Sequence, residues 1–293
     1  MDVEKYIGLS GGYRKLEYNW RDIALYALAV GAHKEDLHYY YEKEMKAIPT
    51  YGAIPYWNAI NTTPQRPTPY PASLMVVEEL QRELGVPLTF LHMEHELIMH
   101  QTIDPIKGSF IFEDVITNIY DRGKDKGIIV KTELKVYDEA GNLVCTNISS
   151  TVIFAKGGFG GEKPPKSTVV IPDREPDYVV SDYISETQNI LYRLTGDTNH
   201  IHVNPELAKE AGFQVPFMQG LCSLGFACRM GIEAIIPNEP ERITRISAQM
   251  RSICYPDTKV QFVGWEVEGG VYFKLLNAET SEAILDKGIF AYK

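Results

Sequence analysis

The sequence predicts an α+β protein in which a helix lies on an antiparallel meander, and it predicts that arrangement twice. Three observations carry the prediction. Residues 108–120, 127–137 and 143–154 are β-rich runs separated by turn residues, first Lys126-Gly127 and then Glu139 to Asn142. A second set of runs at 243–252, 259–267, 270–276 and 283–292 repeats the pattern, with Glu268-Gly269-Gly270 as a tight turn. Between the two sets, residues 221–236 form an apolar stretch with small residues at Cys222, Gly225, Ala227 and Gly231, which suits a helix buried against a sheet.

Taken in order, residues 20–31 read as an Ala- and Leu-rich helix ending near Gly31. A second helical stretch is expected through Lys43 and Met45, broken at Pro49. Pro64, Pro67 and Pro69 exclude a regular element from 62–70, a surface connection. The helix at 73–84 places Leu74, Val77, Leu80 and Leu84 on one buried face. In the meander, Val130, Thr132, Leu134 and Val136 share the face that packs on the first helices. Gly157 to Gly161 end the first sheet without Walker or Rossmann spacing, which argues against nucleotide chemistry. Residues 156–172, with Pro164 and Pro165, are the expected linker between a domain of residues 1–155 and one of residues 173–293. In the second domain a helix is expected over 184–192 and a short one after Pro205.

With 293 residues, 44% hydrophobic and 23% charged, the chain has the composition of two ordinary globular domains. A net charge of -10 disfavours nucleic acid as a partner. No apolar stretch approaches 18 residues, and the acidic N-terminus has no signal-peptide h-region, so no membrane partner is expected. The four cysteines have no C-x-x-C spacing, and the final Ala-Tyr-Lys does not match a peroxisomal Ser-Lys-Leu ending. A cytoplasmic protein with reduced thiols is the expectation. His95-Glu96 is followed by His100 five residues on, off the helical face that His-Glu-x-x-His requires, so no metal site is predicted.

The chemistry concentrates in residues 192–205 and 217–222. Asp197 and His202, five apart, face away from each other on a helix and lie on opposite faces of a strand, so they meet only across a turn. Thr195-Gly196-Asp197-Thr198-Asn199 supplies one, and Asn204-Pro205 reads as the N-cap and first position of a helix. A carboxylate, an amide and an imidazole are thereby gathered for general acid/base work near pH 7. The N–H groups of Gly220 and Leu221, at the start of the buried helix, are suited to a developing oxyanion.

The run Tyr192-Arg-Leu-Thr-Gly-Asp197-Thr-Asn199-His-Ile-His202 resembles the hydratase 2 motif of the MaoC-like (R)-specific enoyl-CoA hydratases. That motif runs from an aromatic residue through Leu-Ser/Thr-Gly-Asp-x-Asn-Pro-Leu/Ile-His. Gly157-Gly-Phe-Gly-Gly161, Tyr26 to Ala32, Asp36-Leu37, Ile48 to Gly52 and, loosely, Leu91 to His95 extend the resemblance through the first half. His200 stands where the family has Pro, and Gln219 where it has the His of a His-Gly pair.

The resemblance implies a double hot-dog fold, with two antiparallel sheets each packed on a central helix. It further implies reversible hydration of trans-2-enoyl-CoA to (3R)-3-hydroxyacyl-CoA. The catalytic residues would be Asp197, Asn199, His202 and Gly220, all in the second domain, with the first supplying acyl-pocket volume from residues 24–57. Coenzyme A is part of the substrate and no separate cofactor is implied; Lys163, Lys166, Arg229, Arg251 and Lys287 are candidates to meet its phosphates. The family also implies a homodimer. Two alternatives stay open: a non-catalytic acyl-CoA binding protein, and a hot-dog thioesterase, for which the Asp-x-Asn-x-x-His turn is the wrong signature.

Overall fold

The computed structural model describes residues 3–58, 71–86, 88–154 and 157–293. The proline run at 62–70 and the expected domain boundary at 155–156 lie outside the described residues. The first half contains β1 (Arg14–Asn19), α1 (Trp20–Ala29), α2 (Ile54–Asn58), α3 (Ala72–Leu84), β2 (Phe90–Met99), β3 (Lys107–Asp121), β4 (Ile128–Tyr137) and β5 (Leu143–Ile153). In the second half follow β6 (Tyr178–Ile184), α4 (Gln188–Arg193), α5 (Pro205–Glu210), α6 (Gly220–Ile235), β7 (Ile243–Met250), β8 (Thr258–Val267), β9 (Gly270–Asn277) and β10 (Ala283–Tyr292).

The expected pair of sheets is one sheet of ten strands, in the order β1-β3-β4-β5-β2-β7-β10-β9-β8-β6. Each half contributes its strands in the same sequence, first at the edge, then third, fourth, fifth and second. The halves are thus topological repeats joined at their second strands, from Glu94↔Gln249 to Ile98↔Arg245. A Glu96–Arg245 ion pair at 2.5 Å crosses the seam. Pairing β2 with β7 removes two open edges that two separate sheets would leave exposed, which is the physical reason for continuity.

Three strands escape the pattern reading. β1 and β6 are the sheet edges, where half-exposed charged and polar residues blur the alternation. Central β2 carries His92, Glu94, His95 and Glu96, so polarity hides its position. Because Tyr178–Ile184 pairs with β8, the helix expected over 184–192 is confined to α4. Lys43 and Met45 lie in turns and irregular chain.

The second half has the expected fully buried helix on its sheet, whereas in the first half the 13-residue α3 packs on β3 and β4 by one face. Every residue from Leu221 to Ile232 in α6 is buried. A Cβ at Gly225 would lie 2.4 Å from Val30 Cγ1, and one at Gly231 2.7 Å from Phe290 Cε2, so these glycines set how closely α6 approaches its neighbours. In the first half, a 3₁₀ turn over Pro49–Ala53 continued by α2 takes the corresponding place, against β2, β3, β5 and α6. α1 starts in a capping box between Asn19 and Asp22 and packs most extensively on α4, the helix of the other half. Val130, Thr132, Leu134 and Val136 are all buried, and Val76, Val77 and Leu80 of α3 join Val130 in one apolar cluster.

The glycine-rich stretch wraps a carboxylate of the protein itself. Asp121 Oδ1 accepts the N–H groups of Gly123 at 2.8 Å and Gly158 at 2.7 Å, and Oδ2 accepts Gly160 N–H at 2.9 Å. Gly158 and Gly160 reach this geometry at φ +83° and +82°. These backbone donors, Gly158 and Gly123 foremost, hold the Asp121 carboxyl below its ordinary value of 3.8. A depressed folded-state pKa contributes stability that is present above the unfolded value and is lost as pH falls through the folded one. Asp121→Ala is therefore expected to lower the urea midpoint at neutral pH, with the gap to wild type closing below pH 3.8. A gap that persists undiminished in acid would show that the carboxylate does not hold this loop.

Candidate active site

The chain from α4 to α6 builds the site. Arg193 Nη1 donates to the carbonyls of Thr198 and Asn199, clamping the turn that follows α4. Within it, Asp197 Oδ1 accepts Asn199 N–H at 3.2 Å, and Asn199 Oδ1 accepts Ile201 N–H at 3.3 Å, capping a single 3₁₀ turn over His200–His202. Asn204 then caps α5, its side chain accepting from Glu206 and Leu207, with Pro205 in the first turn. These local hydrogen bonds fix the course of the loop.

Asp197 and His202 are 6% and 8% exposed. Burial raises the Asp197 carboxyl above its ordinary value and lowers the His202 imidazole below its own. Each opposes the other's shift through its charge, and burial is the larger effect on both. His202 Nδ1 donates to the Phe217 carbonyl at 2.9 Å, which sets the tautomer and leaves Nε2 with its lone pair for proton exchange. A water held by this pair would have a proton acceptor and a second proton-transfer group within one enclosure.

Asp197, Asn199, His202 and Gly220 line one cavity of about 850 Å³. Gly220 is the first residue of α6, so its N–H has no acceptor inside the helix, and a Cβ there would stand 3.3 Å from Met250 Cγ. Apolar walls come from both halves, among them Phe90, Leu91 and Met93 around β2 and Phe213, Phe217 and Ile284 from the second half. His200, at the position where the motif has Pro, is exposed, whereas Gln219 is buried beside the cavity floor.

The expected acyl pocket from residues 24–57 is not where the cavity lies. Tyr26, Tyr51 and Tyr56 are buried in the main core, and among the described residues the first half reaches the cavity through residues 88–93 and Val152. Aromatic residues near the N-terminus serve packing, a distinction that composition cannot make. Leu91 to Met93 of this wall fall in the stretch Leu91 to His95, which the pattern left without a strand. Phe217 was missed as the tautomer-setting partner, since any residue has a carbonyl.

Of the five basic candidates, Arg251 alone lines the cavity. Lys163 and Lys166 are exposed on irregular chain between β5 and β6, and Lys287 is half-buried at a bulge in β10, at φ +54°. Arg229 is 2% exposed. Its guanidinium bonds Asp182, Glu233 at 3.2 Å and the Val30 carbonyl at 3.1 Å, so it ties α6 to β6 and to the end of α1 instead of facing a ligand. His95 bonds Asn147 Oδ1 at 2.9 Å and His100 bonds Thr146 at 3.0 Å. Among the described residues, no helix is long and apolar enough to cross a membrane.

Comparison with known proteins covers nearly the whole chain. Residues 16–157 match the MFE-2 hydratase 2 N-terminal domain and residues 167–287 match the MaoC like domain. A probable enoyl-CoA hydratase 2 from Dictyostelium discoideum is 34% identical, over 91% of this chain and 88% of that one. Enoyl-CoA hydratase 2, peroxisomal, from Arabidopsis thaliana is 30% identical, over 82% and 79%. The crystal structure of a MaoC-like dehydratase from Phytophthora capsici superimposes with a TM-score of 0.83 at 29% identity, covering 100% of this chain and 99% of that one.

The expected cytoplasmic location is corrected by these relatives. The Arabidopsis hydratase is peroxisomal, as is the multifunctional enzyme type 2 of Drosophila melanogaster, 28% identical over 92% of this chain and 44% of that protein. The four cysteines are free and buried, which does not choose among compartments.

Proposed function

Because this chain belongs to the MaoC-like hydratase 2 family, we propose that it adds water reversibly to trans-2-enoyl-CoA, giving (3R)-3-hydroxyacyl-CoA, with Asp197 and His202 exchanging the protons. The hydroxyl oxygen bonds to Cβ, the Cα–Cβ π bond breaks, one proton leaves the water and one arrives at Cα. Both protons pass through the Asp197/His202 pair. Asn199 holds the loop on which that pair sits. As the thioester becomes enolate-like, charge gathers on its oxygen, where the Gly220 N–H at the head of α6 meets it. The observation that carries this reading is the enclosure of Asp197, Asn199, His202 and Gly220 in one apolar cavity. Loss of enoyl-thioester absorbance with crotonyl-CoA and longer enoyl-CoAs tests it. Wild-type protein that binds acyl-CoA and hydrates none of these would select the binding-protein alternative.

In this reading, two fused hot-dog units occupy residues 1–155 and 173–293 across a linker at 156–172, and only the second is catalytic. The repeated strand order supports that division. So does a second cavity of about 350 Å³ where β2 ends and β7 begins, related to the first by the symmetry of the seam. The chain after α1, counterpart of the Asp197 loop, lines it with Met45, Lys46 and Ala47 and brings no carboxylate–imidazole pair there.

Arg251 is the basic residue assigned to the coenzyme A phosphates. Arg251→Ala is expected to raise KM for enoyl-CoA about tenfold more than it lowers kcat, with the gap narrowing as salt rises. Equal losses in kcat and kcat/KM would place Arg251 in the chemical step instead. The chain is further proposed to form a homodimer; light scattering across a concentration series checks this, and a strict monomer refutes it while leaving the internal pairing of the halves intact.

A further inference from the structure

Two hydrogen bonds hold His202 from outside its own turn. Its ring is fixed by Phe217, and its backbone carbonyl accepts Asn189 Nδ2 at 2.6 Å. Asn189 sits in the first turn of α4, whose start is anchored by Gln188 Nε2, bonded to the carbonyls of Leu28 at 3.0 Å and Ala29 at 2.8 Å. The Asn189 carbonyl in turn accepts Gln219 Nε2 at 3.1 Å, and Gln219 is the residue directly before Gly220. Three hydrogen bonds and the chain from 217 to 219 therefore close a ring through His202, Asn189 and Gln219. Both amide side chains are deeply buried, Asn189 at 6% and Gln219 at 1% exposed. Neither makes any further side-chain hydrogen bond through its oxygen among the described residues.

We propose that Asn189 and Gln219 are positioning residues that hold the His202 loop at a set distance from the head of α6, so that the proton-transfer group and the Gly220 N–H address one substrate together. This rests on the roles given above to His202 and Gly220. Neither amide lines the cavity, so neither touches substrate; both act through the backbone they hold.

Asn189→Leu and Gln219→Met are near in size and remove the donors; the carbonyls of His202 and Asn189 lose these partners, so urea unfolding of each variant is measured beside its kinetics. Each is expected to lower kcat for crotonyl-CoA hydration, Asn189→Leu by about 10²-fold, the cost of displacing a reacting group by about an ångström. The dissociation constant for acyl-CoA should stay within roughly threefold, since uniform binding is not disturbed. In a His202→Ala background Asn189→Leu should cost nothing more in kcat, because the group it positions is gone. Gln219→His keeps an N–H donor and should recover most of the turnover that Gln219→Met loses.

Wild-type kcat in Asn189→Leu, or an undiminished further loss in the His202→Ala background, overturns the proposal. Failure of both apolar variants to yield protein that binds acyl-CoA overturns it too, since the amides would then hold the fold and not the site. Should Asp197→Asn and His202→Ala themselves hydrate at wild-type rate, it is the proton-transfer reading that fails, and the two failures are told apart.

Discussion

Asp197→Asn is expected to lower the turnover of enoyl-CoA hydration by about 10²–10⁴-fold, the usual contribution of a positioned acid or base. The substitution keeps the size of the side chain and its Oδ1, which accepts Asn199 N–H, so the turn survives. What it removes is a proton-transfer group buried at the cavity wall. His202→Ala should fall by a similar factor, and the double variant by less than the product of the two, because residues that act as a unit are not additive. Single-turnover hydration with a binding titration separates the chemical step from affinity. Acyl-CoA affinity should change little in each variant. Near-wild-type hydration in Asp197→Asn would show that the proton exchange is assigned to the wrong residues.

Arg229→Met is expected to destabilise the protein by about 3–5 kcal/mol, the cost of leaving one partner of a buried ion pair behind. The Asp182 side chain is 7% exposed and keeps its carboxylate after the guanidinium is gone. His33 Nε2 lies 3.5 Å away on an exposed side chain, where solvent screens the contact. Replacing Asp182 by Leu in the same chain should recover most of the loss, since an apolar pair of similar volume is close to neutral. Urea unfolding of the single and double variants measures this, and KM for enoyl-CoA in the folded protein should be unchanged. A tenfold rise in KM with stability intact would return Arg229 to the coenzyme A surface.

The sequence by itself determined the turn that gathers Asp197, Asn199 and His202 at one cavity, and the elements with a strong period. Asp197, Asn199 and His202 were legible because a turn composition between two helix signals leaves them one way to meet, and Asn204-Pro205 announces its cap in residue types alone. The strands β3 and β4 and helix α6 were legible because one face or every face of each is apolar over many residues, and β5 because of its β-branched residues after the turn at Glu139 to Asn142. These properties are local, and local steric and hydrogen-bonding rules suffice for them.

Tertiary structure alone decided the rest. The joining of two meanders into one sheet depends on which edges come together, and nothing within β2 or β7 records its partner. Arg229 looks like any other cation in sequence; its fate was settled by Asp182 arriving from 47 positions away. The cavity's first-half wall lies on β2, a strand whose histidines and glutamates match no apolar pattern, because it sits at the seam where polar side chains pair across halves. The ring through His202, Asn189 and Gln219 depends on backbone carbonyls, which every residue carries and no sequence pattern reveals. Each of these is a contact between distant segments, and its energy is set by the geometry of approach, which only the folded chain supplies.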